Sequence, residues 1–140
     1  MSRAACDEVL FKRKRGKEEH RMQNIVQAYW NAIHELRFDD VRALFSETAV
    51  ITWPNTEEVF TLDEFIAVNE AYPGEWDEEV LQCYKAEDRI ISETMVKGKE
   101  VSFLAIGFFT IQEGKITALR EYWTAVEAAP EWRKELLKSR

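Results

Sequence analysis

The stretch VSFLAIGFFTIQEGKITALREYW, residues 101–123, decides the fold that we predict for this chain. It holds two apolar runs joined by a short polar break, Gln-Glu-Gly-Lys, at residues 112–115. So short a connection favours two antiparallel neighbouring strands, which we place at 100–111 and 115–125. The first strand is apolar on both of its alternating faces: Phe103, Ala105, Gly107 and Phe109 form one, and Leu104, Ile106 and Phe108 form the other. Each face therefore needs a cover, because a large exposed apolar patch is a liability.

The rest of the chain supplies helices first and further strands afterwards. Thr61 and Glu64 satisfy the capping-box pattern at the start of the third helix, and Asp39 is placed to cap the second. A Pro-Gly pair within Tyr72 to Trp76 predicts a loop. The apolar spacing predicts helices at 18–36, 38–45 and 61–72, and additional strands at 49–53, 79–86 and 90–96.

This order of elements predicts an α+β domain in which three helices pack on one face of a curved antiparallel sheet. The helices can cover only that face, so the outer face is left for a second subunit or for the C-terminal tail. We expect a homodimer joined through the outer sheet face, with docking of the tail as the alternative. In the tail, a helix is predicted to begin near Pro130, and Trp132 and Leu136 are placed to dock on the body.

Composition and charge set the domain limits and the class of partner. A chain of 140 residues with 46% hydrophobic content has material for one core, which we place at residues 18–126, followed by a C-terminal helical tail at 127–140. Residues 1–21 carry seven Lys or Arg against four acids, whereas the remainder carries twelve against twenty-two. We interpret residues 1–17 as a disordered basic arm, and a natural start at Met22 stays open. The acidic domain argues against nucleic acid as its main partner.

Location and cofactors follow from what the sequence does not show. No apolar run approaches the length of a spanning helix and no secretory signal is recognisable, so we expect a cytoplasmic protein without membrane contact. Cys83 fits a strand as a small core residue, and Cys6 lies in the arm. No pair of histidines and carboxylates has metal-ligand spacing, and no phosphate-binding loop is present, so neither a metal nor a nucleotide cofactor is indicated.

Two segments, VQAYWNAIHELRFDDVRALFSETAVITWP and GFFTIQEGKITALREYW, resemble the SnoaL-like branch of the nuclear transport factor 2-like superfamily. That superfamily includes ketosteroid isomerases, polyketide cyclases and limonene epoxide hydrolases. The resemblance, over roughly residues 18–125, implies a cone: a bent antiparallel sheet wrapped around three helices, in an α+β barrel with a deep apolar cavity. It also implies a dimer through the outer sheet face. Functions differ widely among proteins with this cone.

Residue by residue, the resemblance to the isomerases is partial. Tyr29 falls where those enzymes place a tyrosine that donates to the developing oxyanion. Their general base precedes a proline at the end of the first strand, and here that residue is Trp53. Their second oxyanion donor, an aspartic acid on the long strand, corresponds to Gly107. The isomerase mechanism is therefore not expected.

The resemblance to the cyclases and epoxide hydrolases directs attention to Glu121, because those enzymes place an acid on the last strand. On that strand Leu119, Glu121 and Trp123 share one face, which the resemblance turns inward. Glu121 is the candidate acid or base and Tyr29 the candidate hydrogen-bond donor. Apolar surroundings would raise the pKa of the Glu121 carboxyl toward neutrality. The predicted substrate-binding residues are Trp53, Phe65, Trp76, Phe109, Leu119 and Trp123.

Structural explanations compete with each of these assignments. Glu121 could pair with Arg89 or Arg120 or lie at a wet sheet edge, and the aromatic residues could fill the cone outright. Tyr29 could fill the core with its hydroxyl on Glu121 or on a water. His34 lies near the end of the first helix, where a histidine commonly faces solvent.

Two functions remain open from the sequence. The first is a cofactor-independent enzyme of the isomerase, cyclase or hydrolase type that binds a small apolar metabolite and moves a proton. The second is a non-catalytic ligand-binding or dimerisation module.

Overall fold

The structure, a computed structural model, describes residues 16–138 as helices packed on one six-stranded sheet. The helices are α1 (Gly16–His34), α2 (Phe38–Ala43), α3 (Leu62–Ala71) and α4 (Glu131–Leu136), with a 3-10 turn at Pro54–Thr56. The strands are β1 (Phe45–Trp53), β2 (Glu58–Phe60), β3 (Asp77–Ala86), β4 (Arg89–Lys97), β5 (Ser102–Gln112) and β6 (Lys115–Ala125). The predicted α+β class is confirmed: two helices, β1 and β2 precede α3, and four further strands follow it. The short strand β2 was not predicted. The predicted arm at 1–17 lies outside the described residues except for its last two, which begin α1.

The sheet has the order β2-β1-β6-β5-β4-β3, so β2 and β3 form its two edges. Strands β3 to β6 are consecutive antiparallel neighbours, as their short connections predict. The pair β1 and β6 is parallel, so the sheet is mixed and the prediction of antiparallel pairing throughout was wrong on this pair. Register shifts interrupt β1, β3 and the β5–β6 pair, and bulges of this kind bend a sheet. The bent sheet holds α1 against β3 and β4 and holds α3 against β1 and β2.

Helix starts follow the predictions in one case and not in the other. The Thr61 side chain accepts a hydrogen bond from the Glu64 backbone N–H, and the Glu64 carboxylate accepts one from the Thr61 N–H, which completes the predicted capping box. Asp39 does not cap α2: the N-cap is Arg37, without a side-chain bond, and Asp39 lies in the first turn. An acid in that position still favours the helix, because it faces the positive end of the dipole.

The C-terminal tail does not dock as predicted. Helix α4 begins after Pro130, but the side chains of Trp132 and Leu136 are 67% and 70% exposed. The chain is held to the sheet as far as Val126, whose backbone N–H donates to the carbonyl of Ser102. The outer sheet face therefore receives no cover from Trp132 or Leu136.

The core lies between the helices and the inner sheet face. Residues Ala105, Phe109 and Leu119 of β5 and β6 are buried there, and so is Cys83 of β3, as predicted for a small core residue. None of the helices within residues 16–138 combines the length and apolar character that crossing a bilayer requires.

Candidate functional site

Glu121 lies on the inner face of β6 and is fully buried, with 0% of its surface exposed. Its neighbour Leu119 is also buried, while Arg120 and Tyr122 lie on the outer face. The alternation of β6 thus turns Glu121 inward, as the resemblance implied. A buried carboxyl needs partners, because desolvation of its charged form is costly.

Two hydrogen-bond donors hold the Glu121 carboxylate, and both come from distant parts of the chain. The Tyr29 hydroxyl of α1 donates to Oε2 at 3.2 Å. The indole N–H of Trp53, at the end of β1, donates to Oε1 at 3.0 Å. Trp53 was predicted only as part of the pocket wall, so its role as a partner of the acid was missed. The sequence offered no signal for this hydrogen bond, since a tryptophan before a proline indicates only the end of a strand.

An arginine partner for Glu121 is absent from its surroundings. The guanidinium of Arg120 lies on the outer face, 4.9 Å from the centre of the Phe108 ring and 5.8 Å from that of Tyr122. Arg89 is exposed at the start of β4. The alternative in which Glu121 is one half of a structural ion pair is therefore not what the described residues show.

Burial raises the pKa of the Glu121 carboxyl from 4.5 to about 7. Hydrogen bonds from Trp53 and Tyr29 pull the pKa down, and the nearby N–H of Trp123 does so as well, but burial outweighs them. Burial raises the pKa of the Tyr29 phenol well above its usual 10.0, and the adjacent Glu121 charge raises it further. Near neutral pH the carboxyl is thus close to half-protonated while the phenol keeps its proton.

Aromatic rings surround the Tyr29–Glu121 pair. The Tyr29 ring is stacked on Phe65 with centroids 6.5 Å apart, and it meets Phe109 edge-on at 5.3 Å. Trp53 and Trp123 meet edge-on at 6.2 Å and are only half-buried. Four predicted wall residues, Trp53, Phe65, Phe109 and Trp123, therefore lie around the acid.

Trp76 lies farther out than predicted. Its ring contacts Phe103 at 5.9 Å, and Phe103 in turn contacts Trp123 at 6.2 Å. Its indole N–H donates to the carbonyl of Pro73, which closes the loop between α3 and β3. Trp76 is thus separated from the acid by two further rings.

Aromatic side chains pack the interior beside Glu121. Tyr29, Phe65 and Phe109 are all at least 98% buried. Two pockets on the surface of the described residues lie elsewhere, one beside β2 and α3 and the other beside the α1–α2 turn. The packing of these rings favours the alternative in which aromatic residues fill the cone.

His34 also has a partner that the sequence did not reveal. Its Nδ1 lies 2.8 Å from Oε1 of Glu78 on β3, so it contacts the sheet instead of facing only solvent. The hydrogen bond raises the pKa of His34, and burial raises the pKa of Glu78. This pair ties the end of α1 to β3, apart from Glu121. In the described part of the chain, no three metal-binding side chains form a cluster.

The model of the SnoaL-like domain family matches residues 26–119. The chain belongs to this family. The match covers more than half of the chain and ends two residues before Glu121, so the acid stands just outside it. Among curated proteins, no sequence match was found.

Solved structures confirm the fold of this SnoaL-like domain. A protein of Kribbella flavida DSM 17836 that carries the provisional name ketosteroid isomerase shares 17% identity, with a TM-score of 0.74 over 84% of this chain and 88% of that one. An NTF-2 like protein of unknown function from Burkholderia xenovorans LB400 shares 19% identity, with a TM-score of 0.74 over 85% and 94%. An LEH-like epoxide hydrolase from M. tuberculosis shares 17%, with a TM-score of 0.64 over 75% and 84%. At such identities the likeness shows the nuclear transport factor 2-like fold alone.

The structure also relates Glu121 to the isomerase position that the resemblance placed at Gly107. Gly107 of β5 is the direct cross-strand neighbour of Glu121 on β6. In this SnoaL-like domain the carboxyl group therefore comes from β6, and the neighbouring position on β5, Gly107, has no side chain. Nothing in this arrangement supplies a base at Trp53, which instead donates its N–H.

Proposed function

We propose that this SnoaL-like domain binds a small apolar metabolite in the cone and transfers a proton, with Glu121 as the acid or base. One observation carries the proposal: a fully buried carboxyl with a pKa of about 7 is held by two donors and has no cationic partner among the described residues. Carboxyls tuned to neutrality by burial are typical of general acid–base sites.

Glu121 can act in both directions near neutral pH. In its protonated form it can give a proton to an oxygen that gains negative charge, such as that of an opening epoxide or an enolising carbonyl. In its ionised form it can take a proton from water or from carbon beside a carbonyl. Tyr29 donates its hydrogen bond to Oε2, so in this state it positions the carboxyl and stabilises its charge. The chemistry requires no metal or organic cofactor.

A ligand has to displace aromatic side chains to reach the acid. Trp53 and Trp123 are the half-buried rings beside Glu121. The neighbouring 3-10 turn is fastened to β6 by Asn55, whose Oδ1 accepts a hydrogen bond from the Trp123 backbone N–H at 2.8 Å. In our proposal, this turn moves together with Trp53 and opens a route from solvent to the carboxyl.

The reaction class that we propose is isomerisation, cyclisation or hydrolysis by proton transfer. The epoxide hydrolase from M. tuberculosis shares the fold, and opening an epoxide is a reaction that an uncharged carboxyl assists by protonating the ring oxygen. The ketosteroid isomerase mechanism is not proposed, because Trp53 and Gly107 replace two of its three groups.

The test compares three proteins on cyclic epoxides and on enolisable cyclic ketones. Wild type, Glu121→Gln and Glu47→Gln would be assayed for diol formation from cyclohexene oxide and for deuterium exchange into cyclohexanone. Glu121→Gln should lose activity by about 100-fold or more, whereas Glu47→Gln, an exposed glutamate on β1, should keep it. Equal rates for all three proteins would remove Glu121 from the chemistry.

A non-catalytic module is the second candidate, and the filled interior favours it. Under this alternative the aromatic rings are core, and the functional surface is the outer sheet face, where Leu104, Ile106 and Phe108 remain partly exposed. We propose a homodimer through this face under either function. Arg120, whose guanidinium lies near the rings of both Phe108 and Tyr122, suits such an interface, because arginine and aromatic side chains are enriched there.

A further inference from the structure

Three buried polar atoms on the inner side of the cone have no hydrogen-bond partner among the described residues. They are Ser92 Oγ and Thr94 Oγ1 on β4 and Trp30 Nε1 on α1. Ser92, Thr94 and Trp30 are 1%, 0% and 4% exposed. Buried polar groups in proteins are almost always bonded to protein or to water, so three in one interior call for an explanation. The N–H of Trp123 is not counted with them, because it acts on the Glu121 carboxylate, and Gln27 Oε1 belongs to a half-buried residue of α1.

The strand register places the two hydroxyls opposite the acid and its tryptophan. Ser92 pairs with Gly107, and Gly107 pairs with Glu121. One step along, Thr94 pairs with Ala105, and Ala105 pairs with Trp123. Each row thus has a polar side chain at both ends and a very small residue in the middle. We call this feature, formed by Ser92, Thr94, Gly107, Ala105, Glu121 and Trp123, the hydroxyl trough.

The width of the trough matches one ring. Two strand spacings of about 4.8 Å separate the outer members of each row, which places β4 and β6 about 9.6 Å apart across β5. The ring of Phe109 occupies part of this width: a Cβ added at Gly107 would meet Phe109 Cε1 at 2.8 Å. In this state Phe109 therefore stands over Gly107, where a ligand ring would lie.

The unpartnered atoms share one chemical preference. An indole N–H can only donate a hydrogen bond, and a serine or threonine hydroxyl can donate as readily as it accepts. All three atoms can therefore be satisfied by acceptor oxygens, as in a hydroxyl, ketone or ether. A purely apolar ligand would leave every one of them unsatisfied.

We infer that the hydroxyl trough is a second binding subsite, which takes an oxygen function of the ligand on the side of the ring opposite Glu121. The ligand class is narrowed to oxygenated cyclic metabolites with an oxygen at each end, one facing Glu121 and one facing Ser92 and Thr94. This inference rests on the proposed function, since it deepens the ligand class of the same site. The ring of Phe109 has to move away from Gly107 when the ligand binds.

The experiment uses two matched probes, 4-hydroxycyclohexanone and cyclohexanone, which differ by the oxygen that the trough would bind. Binding is followed by the indole N–H signals of Trp30 and Trp123 in NMR titrations, with exposed Trp132 as the internal reference. Wild type is compared with Ser92→Ala/Thr94→Val and with the control Ser46→Ala/Thr48→Val, a pair with the same spacing on β1. Phe109→Leu, which reduces the ring over Gly107, and Glu121→Gln complete the set.

Wild type should bind 4-hydroxycyclohexanone about tenfold more tightly than cyclohexanone, the effect of one well-made hydrogen bond. Ser92→Ala/Thr94→Val should lose this preference while keeping its affinity for cyclohexanone, and the β1 control should retain both. Phe109→Leu should bind both probes more tightly. The trough variant should unfold at the same temperature as wild type or higher, because replacing an unpartnered hydroxyl by an apolar group is close to neutral.

Equal affinity for the two probes in wild type, or a preference that survives in Ser92→Ala/Thr94→Val, would overturn the inference. A trough variant that is strongly destabilised and shows no preference would mean that the hydroxyls hold only structural water. Failure of both probes to shift the Trp30 and Trp123 signals, even in Phe109→Leu, would overturn it as well. The proposed function is tested separately by the turnover assay: it fails if Glu121→Gln turns over the epoxide and the ketone as fast as wild type.

Discussion

At the scale of single residues, the carboxyl of Glu121 stands out because it is buried in an apolar environment and its partners are neutral. Tyr29 and Trp53 each give it one hydrogen bond, and neither carries charge. The balance between desolvation and these two donors leaves its pKa at about 7. A cation in the place of either donor would have held the pKa low and fixed the group as a permanent anion.

The raised pKa makes stability depend on pH. Below pH 4.5 the carboxyl is protonated in both the folded and unfolded chains; between 4.5 and about 7 only the folded chain keeps the proton. Stability therefore falls as pH rises through that window, by about 3 kcal/mol for this group, and levels off above it. In Glu121→Gln this pH-dependent part of the free energy of unfolding should vanish. Between pH 4 and pH 8 the stability of the variant relative to wild type should therefore rise by about 3 kcal/mol. Urea unfolding of both proteins from pH 4 to 9 measures the difference.

The comparison isolates Glu121 because His34 and Glu78, whose pKa values are also raised, titrate in both proteins. Glu47→Gln should follow the wild-type curve, since that side chain is exposed. Parallel curves for wild type and Glu121→Gln would show that the buried carboxyl does not titrate in this range.

Tyr29→Phe should raise the pKa of Glu121 above its value in wild type. The hydroxyl bonds to the ionised carboxylate and favours it, so removing this donor disfavours the charged form. The side-chain carboxyl carbon of Glu121, observed by NMR in protein labelled at glutamate, would report the midpoint, and its signal would be assigned by its loss in Glu121→Gln. A midpoint that stays in place or falls would show that the Tyr29 hydroxyl does not act on the carboxylate.

At the scale of elements, the capping box of α3 determines how firmly that helix closes the interior. Thr61 and Glu64 satisfy each other's backbone N–H groups at the helix start, and Phe65 follows directly as a buried contact of Tyr29. Thr61→Ala should lower the free energy of unfolding by about 1 kcal/mol. Chemical denaturation measures this loss.

Glu64→Gln is the matched control for this prediction, because a glutamine at that position still accepts the Thr61 N–H. It should cost much less than Thr61→Ala. Equal losses in the two variants would mean that charge at the helix start, and not the reciprocal pair of hydrogen bonds, stabilises α3.

Strand β4 carries two polar side chains on its buried face, and the sequence analysis did not single them out. Ile90 and Val96 on its inner face are ordinary core residues, but Ser92 and Thr94 between them are buried hydroxyls. The sequence shows that Ile90, Ser92, Thr94 and Val96 alternate with the other residues of β4 and therefore share one face. Two hydroxyls on the face of Ile90 and Val96 were the signal for a polar feature in the core. Serine and threonine are also common on strand faces that contact water, so this signal is weak.

At the scale of the whole molecule, the outer sheet face is an apolar surface that no other part of the described residues 16–138 explains. Leu104, Ile106 and Phe108 remain partly exposed, and α4 leaves them uncovered by Trp132 and Leu136. Burial of a face this apolar by a second copy would remove the liability of an exposed patch.

Ile106→Asp should therefore convert a dimer into a monomer, since a carboxylate at this position would be desolvated directly opposite Glu93, its cross-strand neighbour of like charge. Sedimentation equilibrium of wild type should give twice the mass of one chain, and Ile106→Asp should give the mass of one. Val59→Asp is the control, because Val59 is 66% exposed on the edge strand β2. A monomeric wild type would exclude the outer face as a stable interface.

The sequence by itself determined the α+β class, the helices and the long strands, because those properties depend on the spacing of neighbouring residues; the short strand β2 was not predicted. The inward side of β6 was implied by the family resemblance. The sequence could not determine that β1 pairs in parallel with β6, since the two strands come from opposite ends of the domain. Nor could it show that Tyr29, 92 residues from Glu121, and Trp53, 68 residues away, would meet the acid while aromatic rings close the space around it. Those contacts depend on how distant segments pack and which rotamers they adopt, and only the tertiary structure fixes both.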